Sequence, residues 1–361
     1  MDQSSALRQE ELAALARAVE LAGRGDGVAL PNPVVGCVLL DPAGRIIGEG
    51  FHQVAGGPHA EVMALRAAGS RARGATAVVT LEPCNHTGRT GPCSIALIQA
   101  GVARVVVAVG DPWPAAAGGM ETLRAAGVDV VDLSGTSAAQ ASEEVNRVWL
   151  TAVRQRRPFV TLKTGQTVDG RVAAADGTSR WITSAESRAD AHRLRSKVDT
   201  MMVGIGTVLA DDPQLTARDA AGVATGRQPL RVVVDSAGRT PAGARVLDGV
   251  APTLVASAAA FAGADGRVDL FALLAELYRQ GQRHVLLEGG PTLAAAMLDA
   301  DLVDEVLVYQ APLLLGAGLP ALAGGAVDTL ADAHRLSLRE VRQLGPDLRI
   351  RYAVERAAER S

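Results

Sequence analysis

His59-Ala60-Glu61 sets an imidazole and a carboxylate two positions apart, and Glu82-Pro83-Cys84 and Pro92-Cys93 add two thiols, each preceded by proline. Imidazole and thiolate are ligands that zinc prefers, and a catalytic zinc keeps one position open for water. His59, Cys84 and Cys93 supply three ligands. Glu61 falls near a predicted helix start, on a different azimuth of the turn that carries His59, so it can reach a water at the metal without being a ligand. His-x-Glu, then Pro-Cys and a second Cys, is the arrangement of zinc deaminases, with the glutamate as proton shuttle. Zinc lowers the pKa of its water from about 15.7 toward about 7. Glu61 would take that proton, deliver it to a ring nitrogen and later to the departing amine, and amidine hydrolysis needs both steps. The competing reading is a closed, structural zinc with Cys37 or His86 as fourth ligand, which leaves Glu61 without a role. Cys37 lies in a predicted strand, where a small buried thiol that only packs is the plainer account.

These residues need elements to hold them. Ser5 is expected to cap a first helix with Leu12, Leu15, Ala16 and Val19 on one face. Gly23-Arg24-Gly25-Asp26-Gly27 stops it, and Pro31-Asn32-Pro33 forces extended backbone into a strand at 34–40. A turn at Asp41-Pro42-Ala43-Gly44 leads to a strand at 46–49, and a helix starts at about His59. A strand at 77–81 delivers Cys84, and Pro92 suits the first turn of the helix carrying Cys93. A strand at 104–110, a helix at 119–126, a strand at 128–131 and a closing helix at 137–156 complete an α/β/α layered domain. The break at Arg156-Arg157-Pro158 divides the chain into expected domains 1–156 and 157–361.

The second half alternates strands at 159–164, 201–205, 230–235, 253–256, 284–288 and 305–310 with helices opened near Trp181 and at 270–280 and 291–300. A polar loop is expected at 165–179, and 336–354 reads as a hairpin turned at Gly345-Pro346-Asp347. This is a second α/β domain, with a mostly parallel sheet and an antiparallel edge. It has no Gly-x-Gly-x-x-Gly after its first strand. Glu288-Gly289-Gly290-Pro291-Thr292 ends a strand and opens a helix, where glycines allow close backbone approach and a helix N-terminus can receive a phosphate.

The 361 residues exceed a usual single core, and 48% hydrophobic with 21% charged residues marks a globular chain. A net charge of −3 argues against a nucleic-acid coat, so an anionic substrate would need local arginines. No apolar run reaches membrane-span length, and the polar N-terminus lacks a signal-peptide core, which makes the cytoplasm the expected location. Three cysteines do not make a disulfide framework.

The two thiols stand nine positions apart, not in the Cys-x-x-Cys spacing of common nucleic-acid and cytidine deaminases, with Asn85-His86-Thr87-Gly88-Arg89-Thr90-Gly91 between Cys84 and Pro92. With Pro31-Asn32-Pro33-Val34-Val35-Gly36, this stretch resembles the deaminase half of the bifunctional riboflavin-biosynthesis deaminase/reductases. The resemblance implies a cytidine-deaminase-like domain in which Asn32, His52 and Glu61 contact a pyrimidine, while His86, Arg89 and Asp111 help hold a ribose phosphate. The family's usual Asp-Pro-Asn-Pro reads Asp111-Pro112-Trp113-Pro114 here. Either the loop packs differently, or the deaminase is slow or altered in substrate.

The second half is similar to the reductase half of the same family. The similarity rests on Lys163, Asp169-Gly170-Arg171, Ser179-Arg180-Trp181-Ile182-Thr183, the run from Gly206-Thr207 to Leu215-Thr216, Val234-Asp235-Ser236 and Glu288-Gly289-Gly290-Pro291-Thr292-Leu293. It implies a dihydrofolate-reductase-like α/β fold using NADPH. Substrate contacts carry over to Ser179, Arg195, Leu215, Arg218 and Glu288. NADPH contacts carry over to Gly165, Trp181, Thr207, Asp211, Ser236, Gly290, Pro291, Thr292, Leu293, Ala294, Ala295 and Ala296. On this reading Arg195 and Arg218 grip a phosphate, Trp181 offers a flat face to a ring, and Glu288 reads ring N–H groups. Lys163 and Asp211 are the candidates for proton donor, and Gly165-Gln166 replaces a small apolar pair.

The implied reaction is riboflavin biosynthesis in two steps. Zinc-dependent hydrolytic deamination of 2,5-diamino-6-(5-phosphoribosylamino)pyrimidin-4-one precedes NADPH reduction of its ribosyl chain to ribityl, giving 5-amino-6-(5-phosphoribitylamino)uracil. A homodimer is a family expectation, with no nucleic acid or membrane as partner. Two rivals stay open: a nucleic-acid base deaminase with an accessory domain, and a reductase with a structural-zinc or impaired deaminase domain. Only 3% aromatic residues, too few for base-stacking platforms, count against the first.

Overall fold

The computed structural model describes residues 7–86, 91–219, 222–263 and 265–356. It contains two compact units, Met1–Gln155 and Arg156–Ser361.

The first unit has the elements α1 (Gln9–Gly23), β1 (Gly36–Leu40), β2 (Ile46–Phe51), α2 (Ala60–Ala68), β3 (Thr76–Val79), α3 (Cys93–Ala100) and β4 (Arg104–Val107). They are followed by α4 (Gly119–Ala125), β5 (Asp129–Asp132), α5 (Gln140–Val145) and α6 (Arg147–Gln155). Five strands run in the order β2-β1-β3-β4-β5, with β1 antiparallel to both neighbours and β3, β4 and β5 parallel. The two-residue period of β1 splits its side chains between two cores. Val38 and Leu40 pack with Ala14, Ala18 and Leu150 of α1 and α6, while Cys37 and Leu39 pack with Ala60, Ala64 and Leu97 of α2 and α3. This is the expected α/β/α sandwich.

Two local expectations change. Ser5 lies outside the described residues. The helix begins at Gln9, where the Arg8 amide donates to the Glu11 carboxylate at 2.9 Å. The buried face of α1 is Ala14, Leu15, Ala18, Leu21 and Ala22, whereas Leu12 is 46% exposed and Ala16 also faces solvent. Close approach decides this phase. A Cβ on Gly36 would sit 1.9 Å from the Ala18 carbonyl oxygen and 2.9 Å from the Ala22 nitrogen, so α1 meets β1 at Ala18 and Ala22. The predicted helix at 137–156 is broken at Asn146, which separates α5 from α6.

The second unit contains β6 (Phe159–Thr167), β7 (Arg171–Ala173), α7 (Ala185–Arg195), β8 (Thr200–Gly204), α8 (Ile205–Asp211), β9 (Leu230–Val234) and β10 (Thr253–Ala256). Next come α9 (Leu270–Arg279), β11 (His284–Glu288), α10 (Pro291–Asp299), β12 (Glu305–Ala311), β13 (Leu319–Pro320), β14 (Leu336–Leu344) and β15 (Asp347–Val354). The order of the main sheet is β10-β9-β8-β11-β6-β12-β15-β14, parallel from β10 to β12 and antiparallel at the β15–β14 hairpin edge. Central strands are continuous apolar runs because both faces are covered.

The loop expected at 165–179 starts late, because β12 keeps pairing through Tyr309–Gly165, Gln310–Gln166 and Ala311–Thr167. Of the expected opening run Trp181-Ile182-Thr183-Ser184, Ser184 caps α7, accepting from the Ser187 amide at 3.2 Å. Among the described residues, no helix is long and apolar enough to cross a membrane.

Candidate active sites

In the first unit, three elements deliver three ligands to one point. His59 is the N-cap of α2, Cys84 follows β3, and Cys93 is the first residue of α3 behind the N-cap Pro92. His59 Nδ1 lies 3.4 Å from Cys84 Sγ and 3.3 Å from Cys93 Sγ, and the three donor atoms are all within 4.8 Å of one another. The Cys93 amide donates to Cys84 Sγ at 3.4 Å, tying the α3 start to the loop after β3. One imidazole and two thiols converging in this way fit zinc. Among the described residues no fourth His, Cys, Asp or Glu joins them. Cys37 is buried in β1 and His86 is exposed.

Glu61 is 3% exposed, and burial pushes its carboxyl up to about 7, with the Cys84 sulfur adding to the rise. A hydrogen bond from the Cys93 thiol holds Cys84 down to about 4 against the effect of burial, while the same bond and burial push Cys93 up. The site therefore pairs a thiolate with a buried carboxyl that can carry a proton near neutrality.

Asn32 and His52 meet beside this cluster. His52 Nδ1 faces the Pro58 carbonyl at 3.3 Å, so it carries the proton, and Nε2 is left to accept from Asn32 Nδ2 at 3.2 Å. Burial lowers the His52 pKa, which keeps the ring neutral. The His52 ring stands edge-on to His59, with centroids 5.3 Å apart.

Asp111 is pushed up to about 6 by burial and accepts from the Trp113 amide at 2.8 Å. The Trp113 indole is 41% exposed, so its backbone, not its ring, organises the loop. Arg89 lies outside the described residues.

Sequence reading missed Glu82. This buried carboxylate accepts from the amides of Asp111 at 3.0 Å, Gly118 at 3.1 Å and Met120 at 3.0 Å, and so fixes the loop that carries Asp111. Its place beside Cys84 was visible, but its partners 29 to 38 positions later were not.

The second unit holds a cleft of about 1930 Å³. Ser179, Arg195, Leu215, Arg218 and Glu288 line it, as do Gly165, Trp181, Thr207, Asp211, Ser236, Gly290, Pro291, Thr292, Leu293, Ala294 and Ala296. Ala295 does not: it is buried, 3% exposed, in the body of α10. Gln166 is not a lining residue either, so its departure from a small apolar residue does not reach the cleft wall.

Gly289 and Gly290 take φ values of 92° and 85°, and a Cβ on Gly289 would lie 3.2 Å from Thr207 Oγ1. Glycine is needed for both reasons, and the turn aims the α10 N-terminus with Pro291 at its first position. Trp181 is 68% exposed, with the Arg188 guanidinium 4.4 Å from its ring centroid.

The two arginines expected to grip a phosphate have different partners. Arg195 donates from Nε and Nη2 to the two oxygens of Glu288, at 2.9 and 2.6 Å. Its charge is matched by that carboxylate. Arg218 donates to Thr216 Oγ1 at 3.1 Å, to the Gly222 carbonyl and to Gln214 Oε1, and among the described residues it makes no ion pair with a carboxylate. It keeps an unneutralised charge at the cleft. Burial alone would raise Glu288, but Arg195 and Lys163 outweigh it and hold the carboxyl at about 2. Burial lowers Lys163, whose Nζ lies 5.5 Å from the Tyr309 ring centroid.

His192, three positions before Arg195 on α7, also lines the cleft, with Nδ1 buried and unpartnered. Its spacing from Arg195 was legible on a helix, but the direction of that face was not.

Comparison with known proteins matches both halves of the chain. Residues 8–109 match the cytidine and deoxycytidylate deaminase zinc-binding region, and residues 158–350 match the RibD C-terminal domain. The chain is 44% identical over 360 residues to the riboflavin biosynthesis protein RibD of Escherichia coli (strain K12), covering 92% of this chain and 96% of that one. Its fold matches Acinetobacter baumannii RibD, form 1, with a TM-score of 0.85, 39% identity, and coverage of 96% and 99% of the two chains. It also matches a Thermotoga maritima diaminohydroxyphosphoribosylaminopyrimidine deaminase/5-amino-6-(5-phosphoribosylamino)uracil reductase, with a TM-score of 0.84, 33% identity, and coverage of 96% and 99%. With its deaminase and reductase halves both matched along nearly its whole length, the chain belongs to the RibD family of riboflavin-biosynthesis proteins.

Proposed function

We propose that this chain performs both reactions named for the Thermotoga maritima protein, on one phosphorylated pyrimidine. It is a bifunctional deaminase/reductase of riboflavin biosynthesis that uses zinc and NADPH. The observation that carries the deaminase assignment is the convergence of His59, Cys84 and Cys93 beside the buried Glu61 carboxyl.

His59, Cys84 and Cys93 hold the zinc, which when bound supplies a Lewis acid that eases ionisation of water. Glu61 receives the proton of the attacking water, passes it to the ring nitrogen and then to the leaving amine. The ring C–N bond breaks, a C=O takes its place, and ammonia departs. Asn32 and His52 meet the pyrimidine. Because His52 Nε2 takes the Asn32 amide N–H, the Asn32 carbonyl oxygen is left to accept from the ring's donors. His86, Asp111 and Arg89 hold the ribose phosphate.

In the second unit Arg218 takes the substrate phosphate, and the Arg195–Glu288 pair presents a fixed carboxylate to ring N–H groups. NADPH, when bound in this cleft, would supply the hydride that reduces the ribosyl group. The α10 N-terminus and its glycines would receive the cofactor phosphates, and Trp181 would offer its face to the cofactor. Of the two proton-donor candidates, Lys163 fits better. Burial lowers its pKa, whereas Asp211 is exposed.

The functional domains are 1–156 and 157–361, supported by the compact units that meet at Gln155 and Arg156. A second copy of this chain is the macromolecular partner, supported by edge strand β14 with Leu336, Leu338 and Val341 exposed. The net charge of −3 supports neither nucleic acid nor an anionic membrane as a partner. Reduced Cys84 and Cys93 suit the cytoplasm.

The test is to give zinc-loaded protein the diaminopyrimidinone ribosyl phosphate and NADPH. Ammonia appearing first, with NADPH consumed only after deamination, supports the proposal. NADPH consumption on supplied deaminated intermediate without any ammonia release leaves only a reductase.

A further inference from the structure

Asn32 can meet a pyrimidine only if the backbone around it is held in one place, and that backbone is poor in ways to hold itself. Pro31 and Pro33 have no N–H to donate, and β1 does not start until Gly36. The Asn32 amide itself donates to the Ala29 carbonyl at 2.9 Å, and three contacts from outside the segment hold the residues that follow it. The Gly36 amide donates to Thr80 Oγ1 at 3.1 Å, and the His52 amide donates to the Val35 carbonyl at 3.0 Å. The third contact comes from Asn146. Its Nδ2 donates to the Val34 carbonyl at 2.7 Å, and its Oδ1 accepts from the Val34 amide at 2.9 Å. One side-chain amide thus satisfies both polar groups of one residue, as a neighbouring strand would.

Asn146 is 2% exposed and reaches Val34 across 112 positions of chain. It occupies the break between α5 and α6, with φ −101° and ψ 7°. A continuous helix was expected there, so the break and the clamp coincide at one residue. Two positions before Val34, Asn32 donates to His52 Nε2 at 3.2 Å. Among the described residues, Asn146 makes no hydrogen bond to His59, Glu61, Cys84 or Cys93.

We infer that Asn146 is a positioning residue for the deaminase: its two-point clamp on Val34 sets Asn32, and with it His52, against the pyrimidine. The inference rests on the proposed contact of Asn32 with the substrate. A displacement of the order of 1 Å at a positioning group can cost up to about a hundredfold in rate. Asn146→Leu keeps the branched outline of the side chain and removes both hydrogen bonds.

The experiment is a double-mutant cycle on the full chain, with N146L, N32A and the pair, scored by ammonia-release kinetics. Bound zinc per chain reports that the deaminase fold survives, because its ligands come from α2, the loop after β3, and α3. With zinc retained, N146L is expected to raise KM for the diaminopyrimidinone about tenfold to a hundredfold, with a smaller change in kcat. The double variant is expected to be no worse than N32A, since both remove the same interaction. A residue that served only packing would give additive losses. Additive losses, or an unchanged KM in N146L, overturn the inference. If N146L loses its zinc, N146S, which leaves room for a water to bridge to Val34, enters the same cycle under the same criteria. An unchanged KM in N32A overturns the substrate contact itself, whereas an impaired N32A with a neutral N146L overturns the clamp alone.

Discussion

Arg195 and Glu288 meet through two parallel hydrogen bonds, Nε to one carboxylate oxygen at 2.9 Å and Nη2 to the other at 2.6 Å, with 93 positions of chain between them. The pair is charge-assisted, bidentate and largely buried, and Lys163 is the next cation. Glu288→Gln leaves two neighbouring cations without a carboxylate. Breaking such a pair from one side costs roughly 3–5 kcal/mol. The expected outcome is a lower denaturant midpoint for the reductase unit together with a raised KM in NADPH oxidation. An unchanged midpoint would contradict the pairing.

The same pair has a pH signature. Glu288 sits at about 2 against an ordinary 4.5, so its folded pKa is depressed. Its contribution is complete above the unfolded value and is lost as pH falls toward the folded one. At ~1.36 kcal/mol per pH unit this amounts to about 3 kcal/mol, fading between about pH 5 and 2. Glu288→Gln should lack that part of the acid dependence, as stability curves of the two proteins at several pH values would reveal.

Chelation should separate the two activities. The proposed zinc ligands His59, Cys84 and Cys93 all lie in the first unit, whereas the cleft residues proposed to bind NADPH and substrate form no comparable cluster among the described residues. Stripping zinc is expected to abolish ammonia release and leave NADPH oxidation of the deaminated intermediate intact. Titrating zinc back should restore ammonia release at one ion per chain. Loss of both activities on chelation would count against this division.

Glu82 should matter through the loop it holds. Glu82→Ala leaves the part-buried amides of Asp111, Gly118 and Met120 without their acceptor, and each such bond to a charged group is worth roughly 1.5–3 kcal/mol. A lower melting temperature and a higher KM for the phosphorylated substrate are expected, since Asp111 moves with that loop. Calorimetry and ammonia-release kinetics check both.

Trp113 is expected to be nearly neutral. Its amide caps Asp111 at 2.8 Å, and its indole is exposed. Asn keeps that amide, so Trp113→Asn should change ammonia release by no more than about twofold, the scale of exposed substitutions. A large gain would mean that the indole does impair the deaminase.

Much of this was legible in sequence because the chemistry is local in the chain. His59 and Glu61 share one helix start, and Pro92 places Cys93 at another, so spacing alone brings the zinc donors into register with predicted elements. The parallel sheets were equally readable from alternating apolar runs and glycine turns. Contacts between distant positions were not. The Arg195–Glu288 pair, the three amides on Glu82 and the Asn146 clamp each join segments that no period or motif relates. The phase of α1 was misread for a similar reason. Leu12 looked like core, but the close approach of Gly36 puts Ala18 and Ala22 at the contact with β1 and turns Leu12 to solvent. Hydrophobicity alone cannot report that distance.

The most direct measurement is made on Glu61→Gln, with zinc content, ammonia release and NADPH oxidation determined on one preparation. Glutamine keeps the shape of the side chain and cannot shuttle a proton. The account expects full zinc, undiminished NADPH oxidation of the deaminated intermediate, and ammonia release reduced by about a hundredfold to ten-thousandfold. Ammonia release at the wild-type rate, with zinc in place, would contradict the role of Glu61 and the deaminase mechanism built on it.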